Sequence, residues 1–448
     1  MFVKVMMAVP AAAETLQDAL VKAYQTNPQL NAERARQRGT DENVPQALSG
    51  YRPQIVASLG AGLQAVRNLL PDNTLQTATL RPWTIGVTVS QALFNGFKTA
   101  NSVRAAEFQV QSGRAALRNV EQGVLLDTVT AYMNVMANNA LYEAQRTNVD
   151  VLREIQATTK RRLAAGDVTP TDTAQAESRL SRGLADLNAA EVALAISKEI
   201  YKQVVGDAPT QLAAASPVDR LVPVTEPAAI ETASHEHPAV VGAGFDVDVA
   251  QTSIKLAESS LLPTVSVQAG VSRSVQTDTS LTTASTDQAS VLGQVNVPIY
   301  DGGMAASQTR QAKEVASQSR LVLEQVRSQS RTAVISAWVS NEGTKVALTA
   351  AESEVRAAEV ALQGVRREAQ GGQRTTIDVL NAQQDVTNAR SRQIMAQRDR
   401  VIASYTLLSA VGRLDAQALN LDTPDYEADT HYHQVRDAWH GLRTPSGQ

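Results

Sequence analysis

Two stretches of the chain, 53–91 and 263–299, alternate apolar and polar side chains with a period of two. In the first, Ile55, Ala57, Leu59, Ala61 and Leu63 alternate with Val56, Ser58, Gly60, Gly62 and Gln64. Trp83, Ile85, Val87 and Val89 then alternate with Thr84, Gly86, Thr88 and Ser90, after a turn-rich stretch at Asn68–Leu80. The second stretch repeats this with Val265, Val267, Ala269 and Val271, a polar loop at Ser274–Gln288, and Val291, Gly293, Val295, Val297 and Ile299. Each reads as a β-hairpin. One apolar face and one small, polar face fit either a soluble sheet over a core or a membrane barrel with a wet interior. Runs of about ten residues, with Tyr51, Trp83, Phe94 and Tyr300 at their ends, favour the barrel and mark those aromatics as its lipid interface. Four strands cannot close such a barrel, and open edges are not tolerated in lipid. Several chains must therefore contribute: two would give eight strands and three would give twelve.

After each hairpin the period changes. Residues 96–165 and 302–370 contain no proline, and Val103, Val110, Leu117 and Val124 recur every seven positions, with Ala106, Gly113 and Val120 three further on. That seam, broken at Asp127, predicts one long helix. The second copy has a weaker seam through Thr309, Ala312, Ala316, Ser319, Leu323, Val326 and Ser330. About 68 residues of helix make a rod of about 100 Å. Glycines end both stretches, at Gly166 and at Gly371-Gly372, and return helices are predicted over 169–205 and 375–411. Shorter helical segments at 29–48 and 239–261 precede the hairpins.

The two blocks are copies. Phe94-Asn95-Gly96 matches Tyr300-Asp301-Gly302, Tyr132 matches Trp338, Gly166 matches Gly372, and Asp172 matches Asp378, always 206 positions apart. The expected organisation is a first repeat over 14–206 and a linker over 207–228. A second repeat over 229–412 and a C-terminal segment with a disordered tail over 413–448 follow. Residues 1–13, with Lys4, an apolar run and Ala11-Ala12-Ala13, resemble the end of a signal peptide. A net charge of −4 and a pI near 5.9 argue against a nucleic-acid partner. With no Cys there is no disulfide, and no run of 18 apolar residues offers a transmembrane helix.

The turns carry a more specific signal. Ala165-Gly166-Asp167-Val168-Thr169-Pro170-Thr171-Asp172 and Gly372-Gln373-Arg374-Thr375-Thr376-Ile377-Asp378-Val379-Leu380-Asn381-Ala382, with the strand-end Phe94-Asn95-Gly96 and Tyr300-Asp301-Gly302-Gly303, resemble the TolC family of outer-membrane efflux and secretion channels. The resemblance spans Glu14 to about Leu421. It implies a mainly α protein with β strands, a homotrimer whose chains give four strands each to a twelve-stranded barrel in outer-membrane lipid. It also implies a long periplasmic α-barrel, an equatorial domain from the linker and C-terminal segments, and work with a periplasmic adaptor protein and an inner-membrane transporter. The location implied is the outer membrane of a Gram-negative cell, reaching into the periplasm.

By motif position, Asp378 is the expected carboxylate of a ring at the constriction of the periplasmic tip. Arg374 is a latch partner, and Thr171 and Asp172 stand on the facing turn. The chain departs from the family pattern where Asn381 replaces a second ring Asp and Ala369 a latch Tyr, which implies a less acidic constriction.

No motif for catalysis is present: there is no phosphate loop, no H-E-x-x-H and no dinucleotide fingerprint, and no cofactor is expected. His235-Glu236-His237 and His431-Tyr432-His433 lack three converging ligands and are not expected to bind metal. The expected function is a passive exit duct for efflux or type I secretion, gated at the tip. The alternative is a periplasmic coiled-coil spacer or adaptor.

Overall fold

The structure, a computed structural model, describes residues 13–277 and 283–445. All but Ala13 of the expected signal-peptide remnant lies outside these residues. The chain divides into two compact units.

One unit comprises Gln37–Gly113, Gly242–Leu323 and the chain from Ala428. Its sheet contains β1 (Gln54–Ala61), β2 (Gln64–Leu69), β3 (Leu75–Asn95), β4 (Thr264–Thr277) and β5 (Thr283–Asn296). All pairings are antiparallel, in the order β1-β3-β4-β5, with β2 also on β3. β1 and β2 are one strand in register, since Ala61 faces Trp83 and Gln64 faces Leu80 with no residue inserted. Their ladder lapses opposite Pro82, which has no N–H to donate. The Gly62 N–H still reaches the Pro82 carbonyl at 2.9 Å.

The loops expected at Asn68–Leu80 and Ser274–Gln288 are largely strand. The first shrinks to residues 70–74, where the Asp72 carboxylate accepts from the Thr74 N–H and hydroxyl and Asn73 takes a φ of 63°. In the second, β4 and β5 pair as far as Thr277 and Thr283, and residues 278–282 lie outside the described residues. Thr and Ser, read as loop formers, sit readily on a paired strand.

Also in this unit, α3 (Asn43–Leu48), which follows α2 (Pro28–Asp41), packs its Val44 with Ala106 and Val110 of α4 (Lys98–Ala165), and α7 (Pro238–Glu258) leads into β4. The C-terminal residues expected as a disordered tail instead form α10 (Ala428–Val435). There His431 Nδ1 lies 3.0 Å from the buried Asp41 carboxylate, Tyr432 packs on the Val44 cluster, and the Arg52 guanidinium covers the Trp439 ring at 4.7 Å. An eight-residue helix carries too few turns for its period to show.

The other unit holds Arg114–Val241 and Glu324–Glu427 with the chain before Gln37. Here α5 (Pro170–Val205) returns along α4, and α9 (Thr376–Val411) returns from α8 (Met304–Gln370). Beyond Asp127, α4 turns a broader face inward: Leu125, Val129 and Tyr132 pack with Leu20 of α1 (Leu16–Thr26), Tyr201 of α5 and Leu408 of α9. The duplication persists in packing. Trp338, the counterpart of Tyr132, lies against Ala229 and Ala233 of α6 (Glu226–Glu236) and Leu407 and Val411 of α9.

Buried polar groups join this core in pairs. The Tyr132 hydroxyl is shared between the carbonyls of Glu14 and Ala213, 2.8 and 2.6 Å away, and burial pushes it up to about 12. The buried Arg400 donates to Asn341 and to the Asp219 carboxylate, joining α9, α8 and the linker. Glu121 accepts the Ala416 N–H at 3.1 Å, and burial raises its carboxyl, with Asp415 adding in the same direction.

A raised folded pKa means that the native state holds the proton more tightly, so stability falls as pH rises from the ordinary value near 4.5 through the folded value. Glu121→Gln keeps an acceptor for Ala416 and removes the charge. The melting temperature of this variant should fall less than that of the parent between pH 5 and pH 7; parallel curves would show that Glu121 is not strained by its burial.

Candidate functional site

The two helical turns that the sequence singles out are built alike. Gly166 and Gly372 follow α4 and α8 with φ of 83° and 77°, left-handed values that only Gly adopts cheaply. Asp167 donates to the Arg162 carbonyl and Gln373 to that of Glu368, both at 2.9 Å, closing the last helical turn. Three residues on, Thr169 and Thr375 cap α5 and α9. Each Thr hydroxyl serves the N–H of Asp172 or Asp378, and each Asp returns Oδ2 to the Thr N–H at 2.9 Å. These N–H groups hold both carboxyls below the usual carboxylate range, the backbone bond being the largest cause in each.

The expected site residues are therefore held locally. Asp378 uses Oδ2 for its cap and leaves Oδ1 without a hydrogen bond among the described residues. Arg374 donates to Glu368 at 2.9 Å within its own turn, and on the other turn Thr171 is exposed and Asp172 half-buried. Asn381 accepts from Arg179 of α5 at 2.8 Å. Neither Arg179 nor Glu368 is visible as a partner in the sequence, because each lies across a turn or on another helix.

Behind the turns the helices are joined in two layers. Leu152 of α4, Ala176 of α5 and Leu380 of α9 form an apolar layer. Next to it the Asn148 carbonyl oxygen accepts from Gln383 at 3.3 Å and Thr387 at 3.1 Å, and Gln383 in turn accepts from Arg366 of α8 at 2.8 Å. Asn148, Gln383 and Thr387 are all buried. A carboxamide and a hydroxyl at the i, i+4 spacing of Gln383 and Thr387, on the face that carries Leu380, is the signal that sequence reading passed over.

The sheet is the second candidate surface. Through the register, Ala57, Val87, Val271 and Ala289 share one face, as do Ile55, Val89, Ala269 and Val291, while Thr88, Gly270 and Ser290 share the other. The apolar face is exposed: Leu59 is 77% and Val291 78% accessible. Trp83 stands at one end of it. Toward the helical end are Phe94, edge-to-face with Phe97 at 5.2 Å, and the exposed Tyr51 and Tyr300. Eleven residues separate Trp83 from Phe94, about 36 Å along the strand, or about 25 Å in height at a tilt near 45°. Phe97 and Trp439 join this aromatic end without having been singled out in the sequence.

The histidines have structural partners. Glu236 pairs with Arg413 at 2.8 Å, His237 ends α6 with burial lowering its pKa, and His433 stacks edge-on against Tyr432. Among the described residues, no group of His, Asp and Glu is placed to hold a metal ion.

The duplicated architecture has a counterpart among known proteins. A family model described as outer membrane efflux protein matches residues 19–206 and again 229–413, one match to each repeat. The chain belongs to the outer membrane efflux protein family. It is 40% identical to the outer membrane efflux protein BepC of Brucella suis biovar 1, covering 98% of this chain and 94% of BepC. It is 28% identical to the outer membrane protein TolC of Escherichia coli, over 91% of this chain and 84% of TolC. The CmeC outer membrane channel of Campylobacter jejuni shares the fold with a TM-score of 0.80 at 14% identity, over 94% of this chain and 89% of CmeC. Membership places the protein in the outer membrane, with the mainly helical, sheet-bearing fold of these channels.

Removing the shared acceptor of the buried network tests its weight. Asn148→Leu leaves the Gln383 amide and the Thr387 hydroxyl without Asn148, which should cost about 1–3 kcal/mol. A lowered denaturation midpoint in detergent is the expected reading; a midpoint equal to that of the parent would show that water replaces the network freely.

Proposed function

We propose that three copies of the chain form a passive outer-membrane duct, the exit channel of an efflux pump or type I secretion system, gated at its periplasmic tip. One observation carries this reading. The sheet has one apolar face and two bare edges, β1-β2 and β5, which run antiparallel to each other. Lipid does not tolerate such edges. Pairing β5 of one copy with β1-β2 of the next leaves no edge once the ring closes, and three copies of four strand paths give twelve strands. Channels of this family are homotrimers that work with adaptors and inner-membrane transporters, and that supports three over two. The apolar rows then face lipid, with Trp83 at the outer rim and Tyr51, Phe94 and Tyr300 at the inner one, and the Thr, Ser and Gln rows face water.

In the proposed gate Asp378 gathers around the axis, with Asn381, Arg374, Thr171 and Asp172 flanking it. The free Oδ1 supports this role, because the cap occupies only the other oxygen. The lowered pKa keeps Asp378 charged in the neutral range, so the ring attracts cations. Arg374, held by Glu368, shapes the turn that presents the carboxylate. Catalysis has no part in this reading; the driving force comes from the inner-membrane partner, as does the choice of cargo.

Asp378→Asn tests the ring directly in planar bilayers. Each charge is worth about 1 kcal/mol at 4 Å in water, so losing three should raise the half-blocking concentration of a multivalent cation by on the order of tenfold or more. Unchanged block would refute the assignment. Fractionation separates the duct from a periplasmic spacer, since the duct must sediment with outer membrane and require detergent.

A further inference from the structure

The strands of the described sheet hold three basic residues, Arg67 in β2, Arg81 in β3 and Arg273 in β4, and one acidic residue, Asp287 in β5. All four lie on the apolar face, and the face of Thr84, Thr88 and Ser272 carries no charge. The register sets their heights. Arg273 faces Ile85, Arg81 faces Thr277, and Arg67 faces Thr77, so the three arginines stand on rungs 85, 81 and 77 of β3, four residues apart. Each step is about 13 Å along the strand. The rows without charge, from Val87 to Phe94, lie on the helical side of all three.

The lowest arginine is already neutralised. Arg273 grips both oxygens of Asp287 across the β4–β5 pair, at 2.6 and 2.7 Å. Arg67 and Arg81 have no ion-pair partner among the described residues, and both are exposed. They flank the Trp83 end, beyond the apolar rows, on the side away from the helices. Two guanidiniums that lack an ion pair among the described residues, at the rim of a lipid-facing surface, have a defined complement. Guanidinium binds phosphate through paired N–H groups, and an anionic leaflet supplies phosphate at that height.

We propose that Arg67 and Arg81 form an anchoring surface for phosphate groups of anionic lipid in the outer leaflet. The surface fixes how deep the barrel sits and how it is turned relative to its lipid neighbours. The inference rests on the barrel reading above, but fails separately. Loss of the barrel would abolish insertion into vesicles, whereas loss of this surface leaves insertion intact and removes only the dependence on phosphate.

The test uses the full-length protein in dodecyl maltoside, titrated with bisphosphorylated lipid A while the melting temperature is followed. The parent should melt higher as lipid is added, and dephosphorylated lipid A should have little effect. A cation beside an anionic leaflet weighs about fivefold in binding, so R67Q and R81Q should each need about fivefold more lipid and the double variant about twenty-five-fold more. The double variant R67K/R81K should recover most of the effect. Inorganic phosphate at matched concentration should give no shift if the source is lipid; a matching shift would assign the surface to free phosphate and overturn the lipid assignment. Titration of the two single variants and the double variant like the parent, or equal effects of the two lipids, would overturn the proposal. Should the double variant fail to fold, the single variants carry the test.

Discussion

An unpaired backbone group has nowhere to go in hydrocarbon, and this constraint governs the rest of the chain. Each copy carries four strand paths with an open edge on either side, an arrangement that water would tolerate and lipid does not. The sheet therefore specifies an assembly before any side chain is considered. It also explains the near-complete exposure of β1 and β5 in a single chain. In the proposed ring those surfaces meet lipid, lumen or another copy. The same logic extends to the helices, where α5 exposes Val192, Ile196 and Ile200 at four-residue spacing, a stripe that an isolated chain leaves uncovered.

Duplication answers this constraint economically. One hairpin and one long helix with its return, used twice, give two near-equivalent sectors per copy. The equivalence is kept at the turns, whose caps agree atom for atom, and in the core, where Tyr132 and Trp338 occupy matching places. It is relaxed in the charges the turns carry. The second turn holds an Arg374–Glu368 pair where the first has Val168 and Arg162, so the sectors share a shape and differ in field.

Much of this was legible in the sequence because the signals were local. Gly166 and Gly372 with Thr169 and Thr375 set the ends of four helices to within about two residues. Period two against period seven separated strand from helix. What the sequence hid was decided across distance. Thr277 and Thr283 look like loop residues until a partner strand is present. Asn148, Gln383 and Thr387 interrupt an apolar pattern and so read as weak spots in a seam, although together they satisfy one another. Arg179 reveals its bond to Asn381 only when α5 lies beside α9. The eight residues of α10 are ordered by Asp41 and Val44, nearly four hundred positions earlier.

The doubled cap of the turns has a mechanical meaning. Because each turn makes its cap and its C-terminal closure from its own residues, neither depends on a neighbouring helix. A displacement of the tip can therefore proceed as the swing of an intact part, with no backbone bond broken. Its resistance resides in the side chains between helices, among them the buried amide and hydroxyl of Gln383 and Thr387. Such a joint behaves like a detent, holding one position by a few side-chain contacts while the backbone of the turn stays intact.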